Sequence, residues 1–182
     1  MRRRIALLIA LASAAALSSP GLAAAARGAG TQCLPNETIL YSGRFARAVG
    51  SVCLADDRVY YRYGPPGHPT IEIVSNDDWS NVHYGRITGG GGGHQNHVRF
   101  TVGTENYVIF EGMYGDATAH PGQRWSGVYV GRDDLAGSRL GGRPRPFIAD
   151  SWTYTLSSHA PLARRSDNSL EEVRDGPWDA WF

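Results

Sequence analysis

The sequence predicts an all-β protein, an antiparallel β-sandwich or small barrel with one short C-terminal helix. Short runs of β-branched and aromatic residues recur between Gly, Pro, Asn and Asp turn signals. Residues 97–111, HVRFTVGTENYVIFE, supply the clearest hairpin: Val98, Phe100 and Val102 alternate with Arg99 and Thr101, and the run 107–110 returns after the turn 103–106. Helix signals are confined to the end of the chain, where Asn168 stands three residues before Glu171 and Gly176-Pro177 would stop the helix after about two turns.

The first residues carry an address. Arg2, Arg3 and Arg4 precede an apolar run, and small residues follow at 23–26, the order of a secretory signal peptide. The expected organisation is a signal peptide at 1–26 and one β-rich domain at 31–182. The apolar run is short for the roughly 20 residues of a spanning helix, so the cleaved chain is expected not to span a membrane and to be periplasmic or secreted. Without those three arginines, the 18 basic against 17 acidic side chains become 15 against 17. That balance gives no concentrated basic face and argues against a nucleic-acid partner. Roughly 155 residues suit one core rather than two.

Residues 38–43 and 49–54 read as the first two strands. Asp56-Asp57 then turn the chain into a third, 58–63, with Val59, Tyr61 and Tyr63 on one face and Arg58, Tyr60 and Arg62 on the other. Gly64-Pro65-Pro66-Gly67 ends it. Residues 70–74 form a fourth strand. Within 79–87, Val82, Tyr84 and Arg86 fall opposite His83, Gly85 and Ile87. Five consecutive glycines at 89–93 are either a mobile hairpin loop, which is the expectation, or a place where something approaches the backbone closely. Residues 125–130 are a further strand. An arginine-bearing loop at 131–146 precedes Phe147-Ile148 and the run 152–156. Cys33 and Cys53, the chain's two cysteines, are expected to pair in an oxidising compartment, two free buried thiols being the alternative.

Cys33, Glu37, Tyr41-Ser42, Val52-Cys53 and Tyr61-Arg62-Tyr63-Gly64 together resemble a family of small, exported, uncharacterised bacterial proteins. In that family a cysteine, a glutamate, a Phe/Tyr-Ser-Cys and a Ser-x-Cys precede a Tyr-Arg-Tyr/Phe-Gly strand. Gly43 stands where the family usually has cysteine. The resemblance implies an exported β-rich domain and carries no activity. Ser126-Gly127-Val128-Tyr129 is similar in flavour, though not in spacing, to the Ser-Gly loop of periplasmic inhibitors of C-type lysozyme.

Chemistry is less legible. His83, His94 and His97 flank the glycines and are the candidate metal ligands, but strand positions three apart face opposite sides and no carboxylate or cysteine stands at a supporting spacing. The pairs Asp56-Asp57, Asp77-Asp78 and Asp133-Asp134 read as turn formers. No nucleophile elbow is present. The sequence therefore offers no catalytic residue and no cofactor.

The aromatic content suggests a surface. Arg58, Tyr60, Arg62, Trp125 and Tyr129 are the candidate binding residues, suited to stacking on sugars or anchoring a protein. The leading expectation is a non-catalytic binding module for a protein or glycan of the cell envelope. The runner-up is an inhibitor of a secreted hydrolase such as lysozyme, and a hydrolase comes third. The tail, with Trp178, Trp181 and Phe182, is expected to pack back on the sheet, a docking peptide being the alternative.

Overall fold

The alternating runs become ten short strands in the computed structural model, which describes residues 30–132, 147–153 and 156. They are β1 (Thr38–Phe45), β2 (Ala48–Ala55), β3 (Arg58–Gly64), β4 (Ile71–Val74), β5 (Val82–Thr88), β6 (His94–Val102), β7 (Glu105–Met113), β8 (Arg124–Arg132), β9 (Phe147–Ile148) and β10 (Ser151–Thr153). The signal segment at 1–26, the loop 133–146, the C-terminal helix expected from Asn168 and the aromatic tail lie outside the described residues. Among the described residues no helix is long and apolar enough to cross a membrane.

The protein is an all-β antiparallel sandwich. Sheet A has the order β10-β1-β2-β3-β4 and sheet B the order β5-β6-β7-β8-β9. β1 to β4 and β5 to β8 each run as consecutive antiparallel neighbours, so the chain changes sheet between β4 and β5 and again at residues 149–150. The second crossing is tied to each sheet in turn: Ala149 N–H donates to Ser126 O at 2.9 Å and Asp150 N–H to Arg44 O at 2.8 Å.

Strand alternation decides the core. Val52, Val59, Tyr61 and Ile73 of sheet A meet Val98, Phe100, Ile109 and Val128 of sheet B in one buried cluster. The ring centroids of Tyr61 and Phe100 lie 6.0 Å apart across the gap. A register shift between Ile39 and Tyr41 lets both Leu40 and Tyr41 enter this core. Trp79, in the β4–β5 connection, is buried, and its indole N–H donates to Asp57 O at 2.8 Å, linking that connection to the β2–β3 turn. At the opposite end the inward face becomes polar.

Two strand boundaries differ from expectation for local reasons. The central hairpin turns on Gly103-Thr104 alone, with Gly103 at φ +60°, so Glu105 and Asn106 already pair with Val102 and Thr101. β5 starts at Val82 because residues 76–81 close on themselves: Asn76 N–H donates to Asn81 Oδ1 at 2.7 Å and Trp79 N–H to Asn76 O at 3.0 Å.

Candidate functional site

The outer face of sheet A is taken up by the chain's own N-terminal segment. Cys33 and Cys53 are joined in a buried disulfide. Next to it, Gln32 N–H donates to Ser51 Oγ at 2.9 Å and the Gln32 amide donates to Pro65 O at 2.8 Å. Glu37 receives both terminal nitrogens of Arg62, at 2.5 and 2.9 Å, while Arg62 Nε binds Glu72. Burial opposes the guanidinium charge, but the two glutamates outweigh it and hold Arg62 above its ordinary pKa. Arg62 is thus spent on a structural clamp. Arg58 is paired with Asp77, and Tyr60 lies half-buried with the Arg62 guanidinium 4.7 Å from its ring centre.

Trp125 and Tyr129, the other two residues expected to bind, lie on the outer face of sheet B, across the sandwich from Arg58, Tyr60 and Arg62. The five do not form one patch. Gly112 faces Trp125 in register, and a Cβ there would meet the indole at 2.5 Å; Tyr129 lies over Gly131. His97 is buried on this same face with its ring over Gly85, and His83 stands two residues before Gly85, opposite Arg99. Alternation along β6 puts His94 on the other side. Among the described residues, the ligand-type trio brought within 4.8 Å is Cys33, Glu37 and Cys53. Its sulfurs are joined to each other and its carboxylate is held by Arg62, so it is a staple for the N-terminal segment.

At the end of the sandwich away from Trp79, the inward face of sheet B carries one polar row. Arg86, Asn96, Glu111 and Ser126 are cross-strand neighbours on β5, β6, β7 and β8. Tyr84 O–H donates to Asn96 Oδ1 at 3.2 Å. Ser126 Oγ donates to Phe110 O at 2.7 Å, so the 2.6 Å bond from sheet A has Tyr41 O–H as its donor. Glu111 is buried, with Arg124 3.6 Å from its carboxylate; the Arg124 guanidinium reaches across the gap towards Trp152 of sheet A, 5.9 Å from the ring centre. Burial, reinforced by the Glu111 charge, raises Tyr41 well above the usual tyrosine range. Burial likewise raises Tyr84 to about 12, and there Arg86 acts in the opposite sense.

The glycine run borders this end, and its structure corrects the mobile-loop expectation. Residues 90–92 make a single 3-10 turn, Gly89 N–H donates to Gly93 O at 2.7 Å, and Asp116 N–H donates to Gly91 O at 2.9 Å. Gly91 has φ +66°, and a Cβ there would lie 2.9 Å from the backbone nitrogens of Asp116 and Ala117. Gly91 and Gly93 are required because the β7–β8 loop packs on them backbone to backbone, a Cβ at Gly93 meeting the Gly115 nitrogen at 2.8 Å, whereas Gly90 and Gly92 have open space. On that loop Tyr114 stacks on Trp125, ring centres 4.3 Å apart and planes 30° apart, with His120 at 6.1 Å. Tyr114 is 37% exposed.

The chain matches no family model, no curated protein and no solved structure. The site is therefore read from its own residues. Sequence reasoning missed Glu111, Asn96, Arg124 and Tyr114. The signal for Glu111 was its parity with Tyr107 and Ile109, which puts a carboxylate on whichever face those residues bury. Arg86 shares the spacing of Val82 and Tyr84, which pack against the core. The Ser126-Gly127 pair, compared with an inhibitory loop, is buried inside β8.

Proposed function

We propose that this protein is an exported, non-catalytic binding domain of the periplasm or extracellular space that recognises a cell-envelope glycan. Kinship with the exported Cys–Glu–Ser-x-Cys–Tyr-Arg-Tyr-Gly family belongs to the same proposal. The residues carrying that likeness are the ones that fasten the N-terminal segment, through Cys33–Cys53 and Glu37–Arg62. The buried disulfide fits an oxidising compartment.

The observation that carries the glycan reading is the Tyr114–Trp125 stack. An exposed ring backed by a second ring on a strand end is a flat, pre-ordered apolar platform. Sugar rings present C–H faces that pack on such platforms, while hydroxyls around them seek polar partners like those at this end of the sandwich. Binding without turnover is favoured because the buried carboxylates Glu37 and Glu111 each already have an arginine beside them.

Co-sedimentation with purified, insoluble peptidoglycan tests the reading. The parent protein should pellet with the glycan, and Tyr114→Ala should lower the bound fraction by about tenfold in affinity, the loss of one stacking contact worth roughly 1–2 kcal/mol. A parent protein that stays in the supernatant overturns it.

A further inference from the structure

Sheet B is closed to solvent on both faces. Val108 and Phe110 point away from the core cluster, yet both are fully buried, as are Gln95 and His97 on the neighbouring strand. The outer face of an antiparallel sandwich sheet ordinarily meets water. Here the rings lie flat, His97 over Gly85 and Phe110 over Gly127, where a Cβ would meet the Phe110 ring at 2.6 Å. Lying flat hides one side of a ring and leaves the other to be covered, and Val108 is too short to be hidden by its strand neighbours. A face already closed in this way has its cover within the chain.

The described connections are engaged elsewhere. The N-terminal segment is fastened to sheet A through Cys33–Cys53 and Gln32, residues 76–81 close on themselves at the Trp79 end, and residues 115–117 pack on the glycine turn. Beyond the expected signal segment, the sequence offers two further stretches, 133–146 and 157–182. The first has Leu135 and Leu140 as its large apolar side chains, and three arginines, at 139, 143 and 145, against Asp133 and Asp134. The second ends in Trp178, Trp181 and Phe182, and its stretch 171–182 sets Glu171, Glu172, Asp175 and Asp179 against Arg174.

Both apolar content and charge favour the second. The outward positions of β5 to β8 include His83, His97 and Arg99 and no carboxylate. An acidic, aromatic segment complements that face, whereas an arginine-rich loop repels it. Reach is ample. Leu156 is buried in the core, and the chain from there to Trp178 extends up to about 70 Å, against about 15–20 Å across four strands.

We propose that the outer face of sheet B is the docking surface for the chain's own C-terminal segment, with the indoles of Trp178 and Trp181 seated on Val108 and Phe110. The domain is then three-layered, and the aromatic tail belongs to its interior and not to an outside partner. This does not rest on the glycan reading.

Nuclear magnetic resonance on the full chain with labelled valine methyls tests this. The Val108 methyls should show cross-relaxation with the indole protons of Trp178 or Trp181, unchanged on dilution and absent between differently labelled copies in a mixed sample. A soluble gadolinium chelate should broaden the methyls of Val102, which is 48% exposed, and spare those of Val108. In Trp178→Ala/Trp181→Ala the Val108 broadening should rise to that of Val102, while Leu135→Ala/Leu140→Ala should leave it low. Should the tryptophan variant fold poorly, the cross-relaxation in the parent chain decides alone. Val108 contacts with Leu135 or Leu140 in place of the indoles, contacts that arise between copies, or equal broadening of Val108 and Val102 in the parent would each overturn the inference.

Discussion

Removing the guanidinium of Arg62 would leave Glu37 buried without its partner, because both side chains of this pair are almost fully enclosed. The expected cost of Arg62→Met is about 3–5 kcal/mol, read as a lowered midpoint in urea unfolding, and Glu37→Gln in the same background should recover part of it. A single variant as stable as the parent would show that the clamp holds nothing. The tyrosines give a pH dependence of definite sign. Tyr84 is raised to about 12 and Tyr41 further, both chiefly by burial. Between the unfolded pKa of about 10 and these values the native chain keeps protons that the unfolded chain loses, so stability is whole below pH ~10 and falls as pH rises through the folded values. Each pKa unit is worth about 1.4 kcal/mol. Alkaline titration should show a group of tyrosines ionising only as the fold is lost, with phenolate absorbance and circular dichroism changing together; complete ionisation near pH 10 with the fold intact would contradict this.

The strands were legible because alternation and turn residues are local: Asp56 and Asp57 turn the chain with positive φ, and Val59, Tyr61 and Tyr63 face inward as their spacing requires. The partners of those strands were not. In 107–110 every residue is apolar, and since Val108 and Phe110 are buried on one side and Ile109 on the other, the inward face could not be chosen from the run itself. Glu111 was hidden for that reason. The glycine run misled for another: its ordering comes from residues 115–117, more than twenty positions on, and no local signal reports a distant backbone. Gly91→Ala should cost about 1–3 kcal/mol, since it meets both an unfavourable φ and the Asp116 backbone. Gly67→Ala, with φ +77° and open space around its Cβ, should cost less. Thermal melting compares them, and equal losses would mean that the loop contact contributes nothing.

Across the whole molecule, the sandwich has two unlike ends. Trp79 belongs to the buried core and ties together the connections at one end, while the other combines the polar row, the glycine turn and the Tyr114 platform. The disulfide fixes the segment covering sheet A, and its 20-residue separation predicts a loss of about 3 kcal/mol on reduction, measurable by unfolding with and without reductant. The residues that the sequence nominated for binding are divided between the two outer faces, so the aromatic content alone pointed to a surface without locating it. Recognition is proposed at the glycine-turn end. Backbone amide chemical-shift mapping during titration with the neutral N-acetylglucosamine hexamer tests that placement most directly. Shifts should concentrate at residues 86–94 and 113–125 and be lost in Tyr114→Ala, whereas shifts centred on Arg58 and Tyr60, or none anywhere, would contradict it.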